Sequence, residues 1–294
     1  MYPKARRIPI GMNYTELKSL SRRPQLFAPG THNFWADPFL GSHFVWAHLE
    51  DNDDGSRPQQ QREAEMAWIH SQATKNLRQP GLCLDLGCGP GLYALELARQ
   101  GWKVEGWDCN SHAVDFAQEW AKDEGLEEVI FRSKDLVIEP LPSQQDLILM
   151  VYGGLGTLEP SVAKTLLQRC AQALKPGGML MFDTFTETYI RGVWTQKDAP
   201  WASFPQGGFW SDDPYLLLTR RFTYSGKNTW LRQFTVVQQE AVKNFRLWYY
   251  AHTPETLASL MPTGGGLELY SSLQGEVYQP QSPWLAAVWT KNYE

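Results

Sequence analysis

Several features of other protein classes are missing or scarce in this 294-residue sequence. No apolar run approaches the roughly 20 residues that cross a bilayer, and the first 20 residues lack the apolar stretch of a secretory signal. There is no basic excess, because the net charge is −5, and this disfavours a surface built to grip phosphate backbones. We therefore expect a cytoplasmic protein with no membrane or nucleic-acid partner. The oligomeric state, monomer or homodimer, stays open.

Cysteine is also scarce. The four cysteines, Cys83, Cys88, Cys109 and Cys170, lack the paired spacing of a metal site, so we expect free thiols and no metal. Aromatic residues, by contrast, are abundant, with 13 Trp, 12 Tyr and 13 Phe. Most are expected to pack in the core, and some to line a ligand cavity.

Short apolar strands alternate with helices between residues 80 and 186. This rhythm is typical of βαβ units and a mainly parallel sheet. The segment LKPGG is read as a turn before the fifth strand. We predict an α/β fold, a Rossmann-like doubly wound sheet of seven strands with the last strand antiparallel. Residues 80–186 and 251–294 would form this core.

The rhythm changes outside the core. Residues 1–79 read as an arm followed by a helical cap. Between 187 and 250 no good helix is evident, and LLLTRRFTY, TWLRQFTVVQ and NFRLWYY are strand-like. We therefore predict an antiparallel β insert over 187–250 that acts as a lid.

A glycine-rich loop, DLGCGPG, joins the first core strand to the next helix. Gly87, Gly89 and Gly91 allow a sharp turn with a ligand lying against the backbone, and the helix beyond offers unpaired N–H groups. The nicotinamide pattern GxGxxG fails because Leu92 follows Gly91, and the GK[ST] of a P-loop is absent.

Three acids accompany this loop. Asp85 precedes it, Asp108 ends the second strand, and Asp135 follows the third strand. An acid at the end of the second strand binds ribose hydroxyls in doubly wound folds. A nucleoside with a cationic tail and no pyrophosphate would suit such a crevice.

These segments, in order, carry a family resemblance: DLGCGPGLYALELARQG, VEGWD, SKDL, DLILMVYGG and LKPGGMLMFD. Together they resemble the class I S-adenosylmethionine-dependent methyltransferases over roughly residues 80–185. NFWADPF, SRP, GGFWSDDPYLLL and FRLWYY look like a subgroup that acts on small molecules beneath an inserted β-lid. The resemblance implies S-adenosylmethionine as cofactor and S-adenosylhomocysteine as its product.

The resemblance also implies roles for individual residues. Gly87, Gly89 and Gly91 would contact the methionine portion, Asp85 its amino group, Asp108 the ribose and Asp135 the adenine. Cys109 would pack on adenine, although that position usually holds a larger residue. The remaining cofactor contacts are assigned to Leu136, Val151 and Arg57, where arginine suits the cofactor carboxylate.

The residues that bind the methyl acceptor have no clear sequence motif, because methyl transfer is an in-line displacement that mainly needs alignment and exclusion of water. Tyr152 follows the fourth strand and is expected to position the acceptor. The candidate pocket rings are Phe34, Trp35, Trp210, Trp248, Tyr249 and Tyr250. Candidate bases are His43, His48 and His252, although ordinary structural hydrogen bonding would explain each of them as well.

The sequence thus predicts methyl transfer to N or O of a small molecule. Val151-Tyr152-Gly153-Gly154 stands where enzymes acting on DNA or protein amides carry an Asn/Asp-Pro-Pro-Tyr-like motif, which disfavours those substrates. Two alternatives stay open. One is a methyltransferase for tRNA or protein, and the other is a cofactor-binding module without turnover.

Overall fold

The structure is a computed structural model that describes residues 14–50, 56–75, 79–195 and 199–293. Within these ranges the helices are α1 Tyr14–Leu20, α2 Pro38–Leu49, α3 Gln59–Thr74, α4 Leu92–Arg99, α5 Ser111–Asp123, α6 Pro160–Ala173, α7 Glu187–Thr195 and α8 Pro254–Leu260. The strands are β1 Leu82–Leu86, β2 Lys103–Asp108, β3 Val129–Ser133, β4 Gln145–Met150, β5 Leu174–Phe185, β6 Trp201–Phe204, β7 Tyr215–Tyr224, β8 Thr229–Val237, β9 Val242–Tyr250, β10 Gly265–Tyr270 and β11 Trp284–Lys291. In these described ranges no helix has the length and apolar character needed to cross a membrane.

The larger sheet has seven strands in the order β10-β11-β5-β4-β1-β2-β3. The pairs among β5, β4, β1, β2 and β3 are parallel, whereas β11 runs antiparallel to both of its neighbours. The predicted fold class is therefore confirmed, including the antiparallel last strand. The carboxyl ends of β1, β2 and β4 meet at one edge, where ligands bind in doubly wound folds.

Helices cover both faces of this sheet, because the strands are apolar on both sides. One core packs α3, α4 and α5 against the sheet and includes Ile69, Leu97 and Ala117. The other packs α6 and α8 against the opposite face and includes Leu167 and Leu257. Successive residues of β1 alternate between the two cores, as the period of a strand requires.

The smaller sheet is antiparallel, in the order β6-β7-β8-β9. Its inner face packs Phe234 and Phe245 against Leu40 and Phe44 of α2. Its outer face is covered by residues 20–32, where carbonyl groups accept hydrogen bonds from β7, β8 and β9. The amino-terminal segment and the insert sheet therefore pack as one layer.

Three local expectations needed correction. The helix α7 lies at the start of the region expected to lack helices, and its Ile190 is buried against Phe185 and Trp230. The strand β6 was not anticipated. LKPGG is not a separate turn, because β5 already begins at Leu174, with a register irregularity opposite Gln145 and Leu147.

Candidate cofactor and methyl-transfer site

The glycine loop lies between β1 and α4, at the carboxyl edge of the larger sheet. Gly87, Gly89 and Gly91 all have positive φ, at 78°, 52° and 87°, a region that side chains rarely adopt. A Cβ at Gly91 would also lie 2.9 Å from the Phe131 ring. At Gly87 nothing lies within 4 Å of where a Cβ would stand. The loop is therefore open toward a ligand at Gly87 and closely packed against the core at Gly91.

Asp85 is the least satisfied acid in the described chain. Its side chain is only 1% exposed, and neither carboxylate oxygen has a hydrogen-bond partner among the described residues. Burial, with a smaller contribution from Asp108, raises the pKa of Asp85 to about 7. A buried carboxyl group without a partner is costly, so this position suits a cationic ligand group that pairs with it.

Asp108 ends β2 beside the same loop. Its two oxygens accept hydrogen bonds from the backbone N–H groups of Gly89, at 2.9 Å, and Asn110, at 2.8 Å. Burial raises the pKa of Asp108, and these two N–H groups and His48 oppose that shift. The carboxylate is held rigidly at the place expected for ribose recognition.

The remaining predicted cofactor residues flank this acid pair. Asp135 is exposed and accepts from the Val137 N–H at 2.8 Å, so one of its oxygens caps a turn. Burial raises the pKa of Cys109 to about 12, and its thiol is therefore a poor nucleophile. Leu136 and Val151 pack at the edges of the two cores.

Arg57 belongs to a buried group of charged and polar side chains that we call the Arg57 cluster: Arg57, Glu65, Asp183 and Tyr93. Arg57 Nη1 lies 2.9 Å from Glu65 Oε2, and Nη2 lies 2.5 Å from Asp183 Oδ2. Tyr93 donates to Glu65 at 2.6 Å. Burial alone would lower the pKa of Arg57, but the two carboxylates outweigh it and raise the pKa.

This cluster changes the interpretation of Arg57. Both terminal nitrogens, predicted to pair with a cofactor carboxylate, are engaged by acids of the protein itself. Asp183 Oδ1 also accepts from the Gly153 N–H at 2.7 Å. We therefore assign Arg57 the structural task of joining the cap to β5 and to the loop after β4. This pairing could not be predicted from the sequence, since Arg57 and Asp183 are 126 residues apart.

Tyr152 lies on that loop with a φ of 65°. Its ring stacks on Trp284 at 5.7 Å, and the Arg57 guanidinium lies 5.5 Å from the Tyr152 ring and 4.6 Å from the Trp284 ring. Tyr152 therefore occupies the predicted place after β4, held by two neighbours. Its role in positioning the acceptor stays a prediction.

The six predicted pocket rings do not form one wall. Phe34 and Trp210 are packed between α2 and the insert sheet, and Trp35 lies beside them, 43% exposed. Trp248 lies in a separate cluster with Phe27 and donates to the Ala28 carbonyl. Tyr250 contacts the ring of His252 instead.

A different set of rings surrounds Tyr152, and we call it the Trp284 ring cluster: Tyr152, Phe185, Tyr189, Tyr249 and Trp284. Their centroid separations run from 4.8 to 5.7 Å. Sequence analysis missed three of these rings, Phe185, Tyr189 and Trp284. They come from β5, α7 and β11, and only the tertiary fold joins them to Tyr152 and to the predicted Tyr249. The direct pairing of Phe185 with Trp284 follows from the β5–β11 register.

Of the three candidate bases, His252 is the most buried. Neither of its ring nitrogens has a partner among the described residues, and burial lowers its pKa to about 4. Its backbone N–H donates to the Phe185 carbonyl at 2.9 Å. His43 and His48 each use Nδ1 toward the carbonyl four residues earlier in α2.

A separate surface groove of about 390 Å³ is lined by Leu49 at the end of α2 and by Phe116, Glu119, Trp120 and Asp123 of α5. It includes none of the glycine-loop residues and lies on the solvent side of α5. Over the described ranges, no group of three or more His, Cys, Asp or Glu side chains is arranged to hold a metal ion. We assign the groove no part in the site.

Comparison with known proteins now identifies the domain. Residues 83–178 match the family model described as a methyltransferase domain, and the fold is that of the class I S-adenosylmethionine-dependent methyltransferases. The family resemblance is confirmed. This domain is therefore a methyltransferase domain, and its cofactor is S-adenosylmethionine.

Curated relatives match over the same part of the chain. A ubiquinone biosynthesis O-methyltransferase of Nitrosococcus oceani is 36% identical over 107 residues, which are 36% of this chain and 44% of that protein. A ribosomal RNA small subunit methyltransferase C of Alcanivorax borkumensis is 30% identical over 107 residues, 36% of this chain and 32% of that protein. The match spans about a third to a half of such relatives.

Solved structures match over more of the chain. An S-adenosylmethionine-dependent methyltransferase from Clostridium acetobutylicum superposes with a TM-score of 0.62 at 15% identity. The match covers 85% of this chain and 99% of that one. A sugar N-methyltransferase from Streptoalloteichus gives a TM-score of 0.52 at 15% identity and covers 92% and 97%. At such identities the likeness shows the fold alone.

Proposed function

We infer that this protein transfers a methyl group from S-adenosylmethionine to a nitrogen or oxygen atom of a small molecule. The observation that carries the cofactor assignment is Asp85, a buried carboxyl group with no partner in the described chain. S-adenosylmethionine supplies a sulfonium-bound methyl group, which leaves as the sulfur becomes a neutral thioether. Everything else required of the site is binding, alignment and exclusion of water.

The charges of the site match this cofactor. The methionine ammonium would pair with Asp85, and the ribose hydroxyls would donate to Asp108. Because Asp85 titrates near neutrality, a bound ammonium group would favour its ionised form. The open space above Gly87 leaves the backbone accessible to the methionine portion. Asp135, Cys109, Leu136 and Val151 are proposed to bound the adenine.

Two features support a small acceptor. The insert sheet and the amino-terminal segment pack together over α2, and we propose that they act as a lid over residues of the 80–186 and 251–294 core. The Trp284 ring cluster lies at the end of β4 and β5, where an acceptor would meet the methyl group. Aromatic faces attract cationic amines and exclude water.

The curated relatives do not distinguish a small-molecule acceptor from a macromolecular one, because one relative is named for ubiquinone biosynthesis and another for ribosomal RNA. The net charge of −5 favours the small molecule, since an acidic protein gains no affinity from phosphate backbones. We accordingly propose no nucleic-acid partner.

The proposal is tested with purified protein, methyl-labelled S-adenosylmethionine and a cell extract separated by size after reaction. Label in the small-molecule fraction is expected, and its loss in Asp108→Ala would tie it to this site. Label in RNA or protein would overturn the acceptor class. Binding of S-adenosylhomocysteine in calorimetry with no labelled product would favour a module without turnover.

A further inference from the structure

Helix α2 reaches the cofactor site from outside the matched methyltransferase domain. Asn110, beside Asp108, donates from Nδ2 to the Gly41 carbonyl at 3.0 Å and caps α5 by accepting from the His112 N–H. A Cβ at Gly41 would lie 2.5 Å from Asn110 Oδ1. Only glycine therefore allows α2 to approach the start of α5 this closely.

The other side of α2 is equally fixed. Leu40 and Phe44 are buried against Trp210, Phe234 and Phe245 of the insert region. Asp37 caps the first turn by accepting from two backbone N–H groups. The last turn of α2 is thus held in place over the carboxyl edge of the larger sheet.

That last turn carries His48. Its Cδ2 and Nε2 lie 3.6 and 3.7 Å from the point where a Cβ of Gly89 would stand. The Gly89 N–H in turn donates to Asp108 Oδ2. The imidazole, the glycine loop and the ribose acid are therefore contiguous.

The protonation of the ring follows from its one partner. His48 Nδ1 lies 2.5 Å from the Phe44 carbonyl oxygen, and a carbonyl oxygen can only accept, so Nδ1 carries the hydrogen. In the neutral ring Nε2 is then an acceptor. Among the described residues the hydrogen bond of this ring runs through Nδ1 alone, which leaves Nε2 available toward the glycine loop.

We propose that His48 Nε2 accepts a hydrogen bond from one ribose hydroxyl of the cofactor, alongside Asp108. This rests on the proposed function. A vicinal diol offers two O–H donors, and each Asp108 oxygen already accepts one backbone N–H. A second acceptor on α2, beside the same glycine loop, would satisfy the diol and would make α2 part of the cofactor pocket.

The test compares His48→Phe with His43→Phe. His43 lies on the same helix and makes the same Nδ1 hydrogen bond to the carbonyl four residues earlier, so it is a matched control. Calorimetry would measure binding of S-adenosylhomocysteine and of its 2′-deoxy and 3′-deoxy analogues. We expect His48→Phe to bind the parent ligand about 3- to 10-fold more weakly, the value of one hydrogen bond, and His43→Phe to match wild type.

The analogues identify the contact. One of the two deoxy analogues should bind wild type more weakly than S-adenosylhomocysteine does. In His48→Phe that analogue and S-adenosylhomocysteine should bind with equal affinity, because the substitution and the missing hydroxyl remove the same hydrogen bond. His48→Gln, which keeps an acceptor, should recover part of the affinity. Thermal melts of the variants check that each remains folded.

Two results would overturn the proposal while leaving the proposed function intact. One is unchanged affinity in His48→Phe, and the other is an equal loss in His43→Phe, which would indicate a general effect on α2. Failure of wild type to bind S-adenosylhomocysteine would instead refute the proposed function, and this inference with it.

Discussion

The Arg57 cluster and Asp85 both bury acidic side chains in the described part of the chain, but they differ in how those side chains are paired. In the Arg57 cluster the carboxylates of Glu65 and Asp183 are paired with one guanidinium, and Tyr93 and the Gly153 N–H complete their hydrogen bonds. Asp85 is buried just as deeply but has no such partner in the described chain. The carboxylates of the Arg57 cluster have their partners within the protein, although Arg57 Nε has none among the described residues. The carboxylate of Asp85 has no partner there at all.

Whether a buried charged side chain is paired within the protein therefore distinguishes a structural role from a ligand-binding role better than its burial does. A buried charge that is paired within the protein holds elements together, here the cap, β5 and the loop after β4. A buried carboxyl group that is left unpaired costs free energy, and a cationic ligand group that pairs with it would offset this cost. On this comparison we propose that Asp85 binds the cofactor and that Arg57 belongs to the scaffold.

The largest expected effect comes from breaking the paired cluster. Arg57→Met removes the cation and leaves two buried carboxylates, which should cost about 3–5 kcal/mol of unfolding free energy. Urea unfolding followed by circular dichroism would measure it. Arg57→Lys, which keeps the charge but not the two-pronged geometry, should lose less. A cost under about 1 kcal/mol for Arg57→Met would mean that the cluster is not structural.

Ionisation of Asp85, by contrast, should destabilise the ligand-free protein, because its carboxylate has no partner within the described chain. Its pKa is raised to about 7 in the folded protein and is near 3.8 when unfolded, so the folded state binds more protons between these values. The ligand-free protein should therefore lose stability as pH rises from about 4 to about 7, by up to about 4 kcal/mol. Asp85→Asn should remove this slope in pH-dependent thermal melts.

The same group should link ligand binding to pH. Because the ammonium of S-adenosylhomocysteine favours the ionised carboxylate, affinity should rise as pH increases through about 7, and Asp85→Asn should bind weakly at every pH. A wild-type affinity without pH dependence in this range would contradict the assignment of Asp85 to the ammonium.

The sequence predicted the part of the fold that local signals determine. Strand and helix periodicity, glycine at turns of positive φ and the acids at strand ends all act within a few residues, and they located the seven-stranded sheet, the loop and its acids. The insert strands β7, β8 and β9 were predicted for the same reason.

The parts that were missed depend on distant contacts. The helix α7 is short, and Ile190 becomes its anchor only because Phe185 and Trp230 lie beside it. Which face of β9 meets the core cannot be read from NFRLWYY, so Trp248 was expected in the pocket although it packs beneath Ala28. The partners of Arg57 were invisible because charge pairing leaves no pattern along the chain.

Asp108 lies between the two cases, since it is already hydrogen-bonded but is also expected to bind the ribose. Asp108→Ala should weaken binding of S-adenosylhomocysteine by roughly 10- to 100-fold, the range for hydrogen bonds to a charged group, while the fold is kept. Calorimetry and a thermal melt on the same sample would measure both. Asp135→Ala, at an exposed turn beside the proposed adenine position, should lose less than Asp108→Ala. Unchanged affinity in Asp108→Ala would remove the ribose assignment.

The smallest effect is expected at an ion pair that water can reach. Arg99 and Glu124 lie 2.7 Å apart but are 37% and 33% exposed, so solvent screens their attraction and Arg99→Ala should cost only about 0.2–1 kcal/mol. This value should fall further in high salt, whereas the cost of Arg57→Met should change little. If urea unfolding gave equal costs for the two arginines, burial would not be what distinguishes the Arg57 cluster, and the contrast with Asp85 would lose its physical basis.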